Sequence, residues 1–386
     1  MSRLQELIRS LCPDGVVYKP LGEVCSITIG EFVKKDKQTE NGKYPVYNGG
    51  RENTGFYEDY NNVGNKVIIS ARGVNAGFVN RVYTNYWAGN SCYSLSPLNT
   101  KRLYWIFLYY VLKAREKEFM NSQQRGSIPA LSKKQIDQIR IPLPPLEVQA
   151  EIVRILDAFT SYTAELQAEL QARKEQYTYY RNRLLSFDKP TKDVTWKRLG
   201  EIGDICMCKR IMKNQTNSIG GIPFYKIGTF GKKADAYISP ELYNEYKNKY
   251  SFPQKGEVLI SASGTVGRTV IYDGEDAYFQ DSNIVWIQND ETEVLNKYLF
   301  YYYQIIEWNV EGGTIQRLYN TNLAKTIIAV PSLSEQQRIV SILDRFEALV
   351  NDLTEGLPAE IAAVQEQYEY YRNQLLSFPR KEDENA

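Results

Sequence analysis

The sequence predicts an α+β protein in two equivalent halves. Each half is a domain with a twisted β-sheet followed by a long helix, and the two helices form an antiparallel coiled coil about a pseudo-twofold axis. Three observations predict this. Gln176 to Phe187 recurs as Gln367 to Phe378 with ten of twelve positions identical, and a repeat with a period near 190 residues marks duplication of a whole domain with its helix rather than a solenoid unit. Both repeated stretches carry apolar residues at alternating steps of four and three, the pattern of a coiled-coil seam. Between them lie short β-branched or aromatic runs bounded by Gly, Asn and Asp, which read as strands.

Taken in chain order, Arg3 to Leu11 is opposite Arg181 to Lys189 when Gly22 is aligned with Gly200, which supports an N-terminal helix. The first domain, 1–143, contains the strand Val67 to Ser70 and a helix over Leu103 to Lys113. Pro142, Pro144 and Pro145 then precede the first long helix, 144–187, whose seam runs through Ile152, Leu156, Phe159, Thr163, Leu166, Leu170, Arg173, Tyr177, Tyr180, Leu184 and Phe187. The second domain, 188–330, repeats the first: Val258 to Gly264 matches Val67 to Gly73, a further strand covers Asn283 to Ile287, and a helix covers Asn296 to Trp308. Ser334 and Gln337 have the form of a capping box for the second long helix, 331–378. Its seam, Ile339, Leu343, Phe346, Val350, Leu353 and Leu357, resumes at Ile361 after two consecutive steps of four, a stutter that contains Gly356 and Pro358. Proline inside a helix costs roughly 3 kcal/mol, so the helix is expected to kink or restart near Gly356 with Pro358 in the first new turn. An acidic tail, 379–386, ends the chain. A helix that leads out of the second domain can bury its seam only by running back, which brings the C-terminus near the N-terminus.

Composition excludes several functions. No apolar run is long enough to span a bilayer, and Arg3, Glu6 and Arg9 lie where a signal peptide would be apolar, so a cytoplasmic protein is expected. The five cysteines form no CxxC pair, so reduced thiols are expected and a metal site is not; the absence of histidine removes the commonest general base and metal ligand. No Walker A motif and no AsnProProTyr-type adenine methyltransferase signature is present, and Glu245-Tyr246-Lys247 is an isolated ExK spacing. No catalytic residue and no cofactor is therefore assigned to the chain itself.

The net charge of +1 conceals an asymmetry: 1–143 holds 20 Lys and Arg against 12 Asp and Glu, whereas 331–386 holds 5 against 11. On bulk charge a basic footprint for an anionic partner is thus expected on the first domain only, and the second must be argued on other grounds. Lys34 and Lys35 in one half and Lys209, Arg210 and Lys213 in the other occupy equivalent basic loops. The Gly-bearing turns Ser70 to Gly77, with Arg72 and Asn75, and Ser261 to Arg268, with Ser263, Thr265 and Arg268, follow strands and can cradle phosphate. Arg125 and Arg317 stand in Gly-bearing stretches before each domain exit, and Arg51 and Asn320 complete the candidate set, since Arg, Asn and Gln can read base edges. The TyrTyrArgAsn block occurs twice. Arg181, Asn182, Arg372 and Asn373 lie off the seam that explains Tyr180 and Tyr371, and with Tyr179 and Tyr370 they define a candidate partner surface present in two copies.

These paired helices and their closing TyrTyrArgAsn and LeuLeuSerPhe segments, together with the openings LeuProProLeuGluValGlnAlaGluIleVal and ProSerLeuSerGluGlnGlnArgIleVal, resemble the specificity (S) subunit of type I restriction-modification systems over the whole chain. The resemblance implies a non-catalytic subunit in which two target-recognition domains each bind half of a bipartite site in double-stranded DNA. It implies as partners two methyltransferase (M) subunits, which use S-adenosylmethionine to methylate adenine, and restriction (R) subunits, with no membrane. The coil would then act as a ruler that sets the half-site spacing. A free-standing enzyme and a two-headed architectural or regulatory DNA-binding protein are the alternatives from other classes.

Overall fold

The structure, a computed structural model, describes residues 3–121, 129–187, 193–313, 315–352 and 355–381. It divides into two units, Met1–Gln167 with Glu360–Ala386 and Ala168–Ala359, so that each unit takes part of both long helices.

The first unit begins with α1 (Arg3–Leu11), β1 (Tyr18–Pro20), α2 (Leu21–Val24) and β2 (Cys25–Ile29). Next come β3 (Tyr44–Tyr47), β4 (Phe56–Tyr57), β5 (Lys66–Ser70), β6 (Val79–Val82), β7 (Trp87–Ala88) and β8 (Cys92–Pro97). It continues through α3 (Trp105–Ala114), α4 (Glu116–Asn121), α5 (Lys133–Asp137) and β9 (Arg140–Pro142) into α6 (Leu146–Leu185). A four-stranded antiparallel sheet in the order β2-β8-β5-β6 adjoins a three-stranded sheet, β4-β3-β7, and β1 pairs with β9. Strand β5 shows why both faces are apolar. Val67 and Ile69 join the core under α3, while Ile68 points the other way to Tyr86, Ala88 and Cys92. Helix α3 has no polar face because Phe107, Leu108, Tyr110 and Leu112 are all at most 1% exposed.

The second unit holds β10 (Val194–Arg198), α7 (Leu199–Ile202), β11 (Asp204–Cys206), β12 (Ile222–Tyr225), β13 (Tyr237–Ile238) and α8 (Pro240–Lys249). There follow β14 (Val258–Ser261), β15 (Thr269–Ile271), β16 (Tyr278–Phe279), β17 (Ile284–Gln288), α9 (Asn296–Tyr303), α10 (Asn320–Lys325), β18 (Ile327–Pro331) and α11 (Leu333–Asn351). Its sheets, β11-β17-β14-β15, β13-β12-β16 and β10-β18, repeat the first unit's order strand for strand. Val258 and Ile260 face one core and Leu259 the other, as in β5. Tyr225 lies 178 residues after Tyr47 but Val258 lies 191 after Val67, so 13 residues are inserted between them, and α8 occupies that insertion. Its start signal was present in the sequence: Ser239 accepts from the Leu242 amide and Pro240 takes the first helical position.

Three expectations need correction. The helix expected to reach Trp308 stops at Tyr303. The cap of α11 is Ser332, whose hydroxyl accepts from the Glu335 amide, and not Ser334, because the chain already turns helical at Leu333. Tyr180 and Tyr371 are seam residues only in part: they stack on Phe346 and Phe159 at 5.6 and 5.8 Å, yet remain 37% and 43% exposed.

The stutter is a break. Helix α11 ends at Asn351 and α12 (Leu357–Leu375) begins one residue before Pro358, with Gly356 between them. A Cβ at Gly356 would lie 2.5 Å from the Ala348 carbonyl oxygen, which leaves room only for glycine. In the first unit α12 runs antiparallel to α6: Phe159 meets Tyr368 and Tyr371, whereas Tyr162, one turn later, donates to Glu360, earlier in α12. Val16 and Arg380 form a parallel bridge in this unit, which sets the segment after α1 beside the segment after α12. No described helix is long and apolar enough to cross a membrane.

A buried glutamine anchors each helix start. Gln149 and Gln336, both 0% exposed, lie 187 residues apart and make the same three hydrogen bonds. Gln149 donates to the Arg102 and Pro144 carbonyls and accepts from the Tyr104 amide; Gln336 donates to those of Glu293 and Pro331 and accepts from that of Leu295. Tyrosines lock the same joint from the other side. Tyr110 donates to Asp157 at 2.5 Å, and its counterpart Tyr301 donates to Asp344 and Glu347. Burial first, and then hydrogen bonds to these carboxylates, hold the Tyr301 phenol far above its ordinary pKa, so it remains a donor.

Candidate nucleic-acid interface and partner surface

Each unit pins the loop after its central strand to the segment that leads out of the domain. In the first unit the Leu131 amide donates to the Ala71 carbonyl at 2.9 Å and the Gly73 amide to that of Pro129 at 2.9 Å, and Arg72 bridges Ala130. In the second, the Leu318 amide donates to the Ala262 carbonyl at 2.8 Å and the Gly264 amide to that of Gln316 at 3.3 Å, and Ser263 bridges Arg317. Gly73 and Gly264 adopt φ of +90° and +66°, values that favour glycine, and a Cβ at Gly73 would meet open space. Both loops thus offer backbone and side chains to solvent from a platform fixed on two sides.

On the first platform Arg72 is exposed and Asn75 half-buried. Arg51 approaches on the neighbouring loop. Its carbonyl accepts from Asn80, its guanidinium lies 5.6 Å from the Phe78 ring, and Ser70 donates to the Gly50 carbonyl beside it. Lys34 and Lys35 are exposed on a separate loop, at the start of the 3-10 turn Lys35–Lys37. Arg125 lies outside the described residues.

In the second unit, several candidates converge on the turn Asp281-Ser282-Asn283. Arg210 donates to Asp281 at 2.9 Å, Arg317 to the Ser282 carbonyl at 3.1 Å, and the buried Ser263 hydroxyl to Asn283 at 2.8 Å. Ser282 adopts φ of +52°, unusual for a residue with a side chain, and sits at the centre of this network. The sequence reading missed Asp281 and Ser282, although Asp-Ser-Asn ahead of a strand is a turn signal. Arg317 and Asn320 line a surface cleft of about 310 Å³. Thr265 is exposed at the loop tip and its carbonyl accepts from Ser261. Arg268 turns elsewhere and donates to the Phe230 carbonyl at 2.9 Å. Lys209 and Lys213 are exposed on the basic loop, Lys209 5.1 Å from the Tyr250 ring.

The doubled TyrTyrArgAsn block has one geometry in both places. Tyr179 and Tyr370 are 56% and 58% exposed and meet the next tyrosine edge-on at 5.3 Å. Arg181 and Arg372 lie 5.5 and 5.4 Å from the Tyr177 and Tyr368 rings and donate to Asn182 and Asn373. The copies differ in their neighbours: Arg181 also donates to Gln304 at 3.0 Å, and the Tyr179 hydroxyl accepts from Arg183 where that of Tyr370 accepts from Gln374.

Three buried cysteines do not suit nucleophilic work. Burial pushes the Cys25, Cys92 and Cys208 thiols up to about 12, so thiolate is scarce at neutral pH. No group of acidic or cysteine side chains among the described residues could hold a metal ion.

The family model described as the type I restriction modification DNA specificity domain matches the chain twice, at 13–176 and 191–363. A putative type I restriction enzyme specificity subunit of Haemophilus influenzae is 50% identical over 381 residues, covering 94% of this chain and 96% of the relative. A type I restriction enzyme specificity subunit of Escherichia coli is 36% identical over 297 residues, covering 72% and 71%. The crystal structure of a type I restriction-modification S subunit from M. genitalium shares the fold, with a TM-score of 0.59 at 16% identity over 94% of this chain and 96% of that one. With a specificity-domain match in each half and relatives aligned along most of its length, the chain belongs to the family of type I restriction-modification specificity subunits.

Proposed function

We propose that this chain is the non-catalytic recognition subunit of a type I restriction-modification complex and reads a bipartite site in double-stranded DNA, one half-site per unit. The observation that carries the reading is the duplicated platform: a Gly-bearing loop, held by the same two backbone hydrogen bonds in both units, in domains that also carry exposed basic loops. Adenine methylation and cleavage belong to the M and R subunits that assemble on it, and S-adenosylmethionine to the M subunits. The doubled TyrTyrArgAsn surface is the docking site for M subunits, one per copy. Its place of action is the cytoplasm, where the DNA is.

Selection from a library of randomised duplexes by the reconstituted complex tests this reading. It is expected to return two constant blocks separated by a gap of fixed length, and a single contiguous block or no preference overturns it. The basic loops contribute without sequence preference. Replacing Lys34 and Lys35 with alanine is expected to weaken binding to all duplexes alike. The slope of log K against log salt should become shallower by about 1 for each phosphate that is no longer neutralised. An unchanged slope would place these lysines off the DNA.

A further inference from the structure

The two platforms each carry one arginine at the same backbone bridge, supplied from opposite strands. Arg72 and Ser263 are equivalent, 191 residues apart, and Ala130 and Arg317 are equivalent, 187 apart. The pairs Arg72–Ala130 and Ser263–Arg317 are both antiparallel bridges. Residues opposed in such a bridge put their Cβ atoms on the same face, about 5 Å apart. Arginine at either position therefore presents its guanidinium from the same small area of the platform, and the opposing residue, alanine or serine, is small enough to leave that area open.

The two guanidinium groups are held differently. Arg317 is half-buried: one of its nitrogens donates to the Ser282 carbonyl, the Tyr319 ring lies 5.7 Å away, and the group lines the cleft it shares with Asn320. Arg72 is exposed beside Gly73, whose surroundings are open. A planar fork of donors on a fixed platform matches the paired O6 and N7 acceptors of guanine in the major groove. The same fork can also grip a phosphate, but a phosphate contact carries no sequence information, so base selection separates the two.

We propose that the bridge arginine, Arg72 in one unit and Arg317 in the other, reads a guanine in its half-site, and that either strand of the bridge can supply it. The proposal rests on the recognition function above and names the residue and base class for it. Duplex selection is run with the full chain in complex with its methyltransferase subunits. Arg72→Ala is expected to relax one guanine position in one half-site by roughly tenfold to hundredfold, and Arg317→Ala one in the other. In each variant the untouched half-site remains fully selective and so reports that the chain is folded. The swap Arg72→Ser with Ala130→Arg is expected to restore guanine at the position Arg72→Ala relaxed.

Affinity that falls equally on all sequences, with no position relaxed, would make these arginines phosphate contacts and overturn the proposal. A swap that leaves the position relaxed would overturn the equivalence of the two strands. If the unaltered complex selects no bipartite sequence, the recognition function itself falls; if it does and neither alanine variant relaxes a position, only the assignment of these arginines falls.

Discussion

Replacing Tyr179 and Tyr370 together with alanine is expected to strip the methyltransferase subunits from the complex while leaving the chain folded and able to bind DNA. Each ring is more than half exposed, so its loss removes little from the chain's own core. Each is nevertheless held in place: the Tyr179 hydroxyl accepts from Arg183 at 3.1 Å and the Tyr370 hydroxyl from Gln374 at 2.7 Å, one turn further along the helix, and the neighbouring tyrosine supports the ring edge-on. A large amphipathic side chain fixed before association loses little entropy on binding, which is why tyrosine is frequent among residues that dominate interfaces. Truncating such an anchor typically costs at least 2 kcal/mol, or about 30-fold in affinity at that site. The single variants are expected to weaken one docking site each and the double variant both. Sedimentation or native mass measurement of the reconstituted complex reads the stoichiometry, and retention of both methyltransferase subunits at ordinary affinity by the double variant would exclude this surface as their docking site.

Gln336→Leu is expected to lower the melting temperature of the second unit by roughly 10 °C, and Gln149→Leu that of the first by a similar amount. Leucine preserves volume but offers no hydrogen bond, so two carbonyls and one amide that each glutamine satisfies lose a partner. Each buried polar group left unpaired costs about 1–3 kcal/mol, and three together cost about 3–5 kcal/mol after relaxation. At 2–4 °C per kcal/mol for a unit of this size, the expected shift follows. Calorimetry reads the transition, and hydrogen exchange at Leu295 or Tyr104, the amides that donate to each glutamine, reads the local opening. A shift under about 2 °C would mean that water replaces the lost partners and that the joint is not closed. Because the glutamine ties the start of a long helix to the loop ahead of α3 or α9, the same substitution loosens the link between a domain and its spacer.

Both glutamines stood in the repeated openings that carried the family resemblance, yet nothing in the sequence marked them as more than polar residues at a helix start. Their role needs three backbone groups from two separate loops, and sequence spacing is silent about which carbonyls lack partners. The same limit applies to the turn Asp281-Ser282-Asn283, which gathers Arg210, Ser263 and Arg317 from distant parts of the chain. Periodic features were legible: the heptads placed α6 and put Phe159 and Tyr371 on the two seams, and the stutter located the break at Gly356. Those rest on local rules, side-chain period and the cost of proline in a helix, which hold whatever the rest of the chain does. Helix ends were less legible. The end of α9 at Tyr303 and the cap at Ser332 depend on where neighbouring segments take over the hydrogen bonds.

By itself, then, the sequence determined the duplication, the class of fold, the paired helices and the family, because identity between two copies and hydrophobic periodicity survive without knowledge of tertiary neighbours. Only the tertiary structure decided that Arg72 and Arg317, which share no position in the repeat, stand on equivalent bridges, one in each unit. Strand pairing sets that equivalence, and it joins residues from different parts of the chain whose separation changes with every loop insertion.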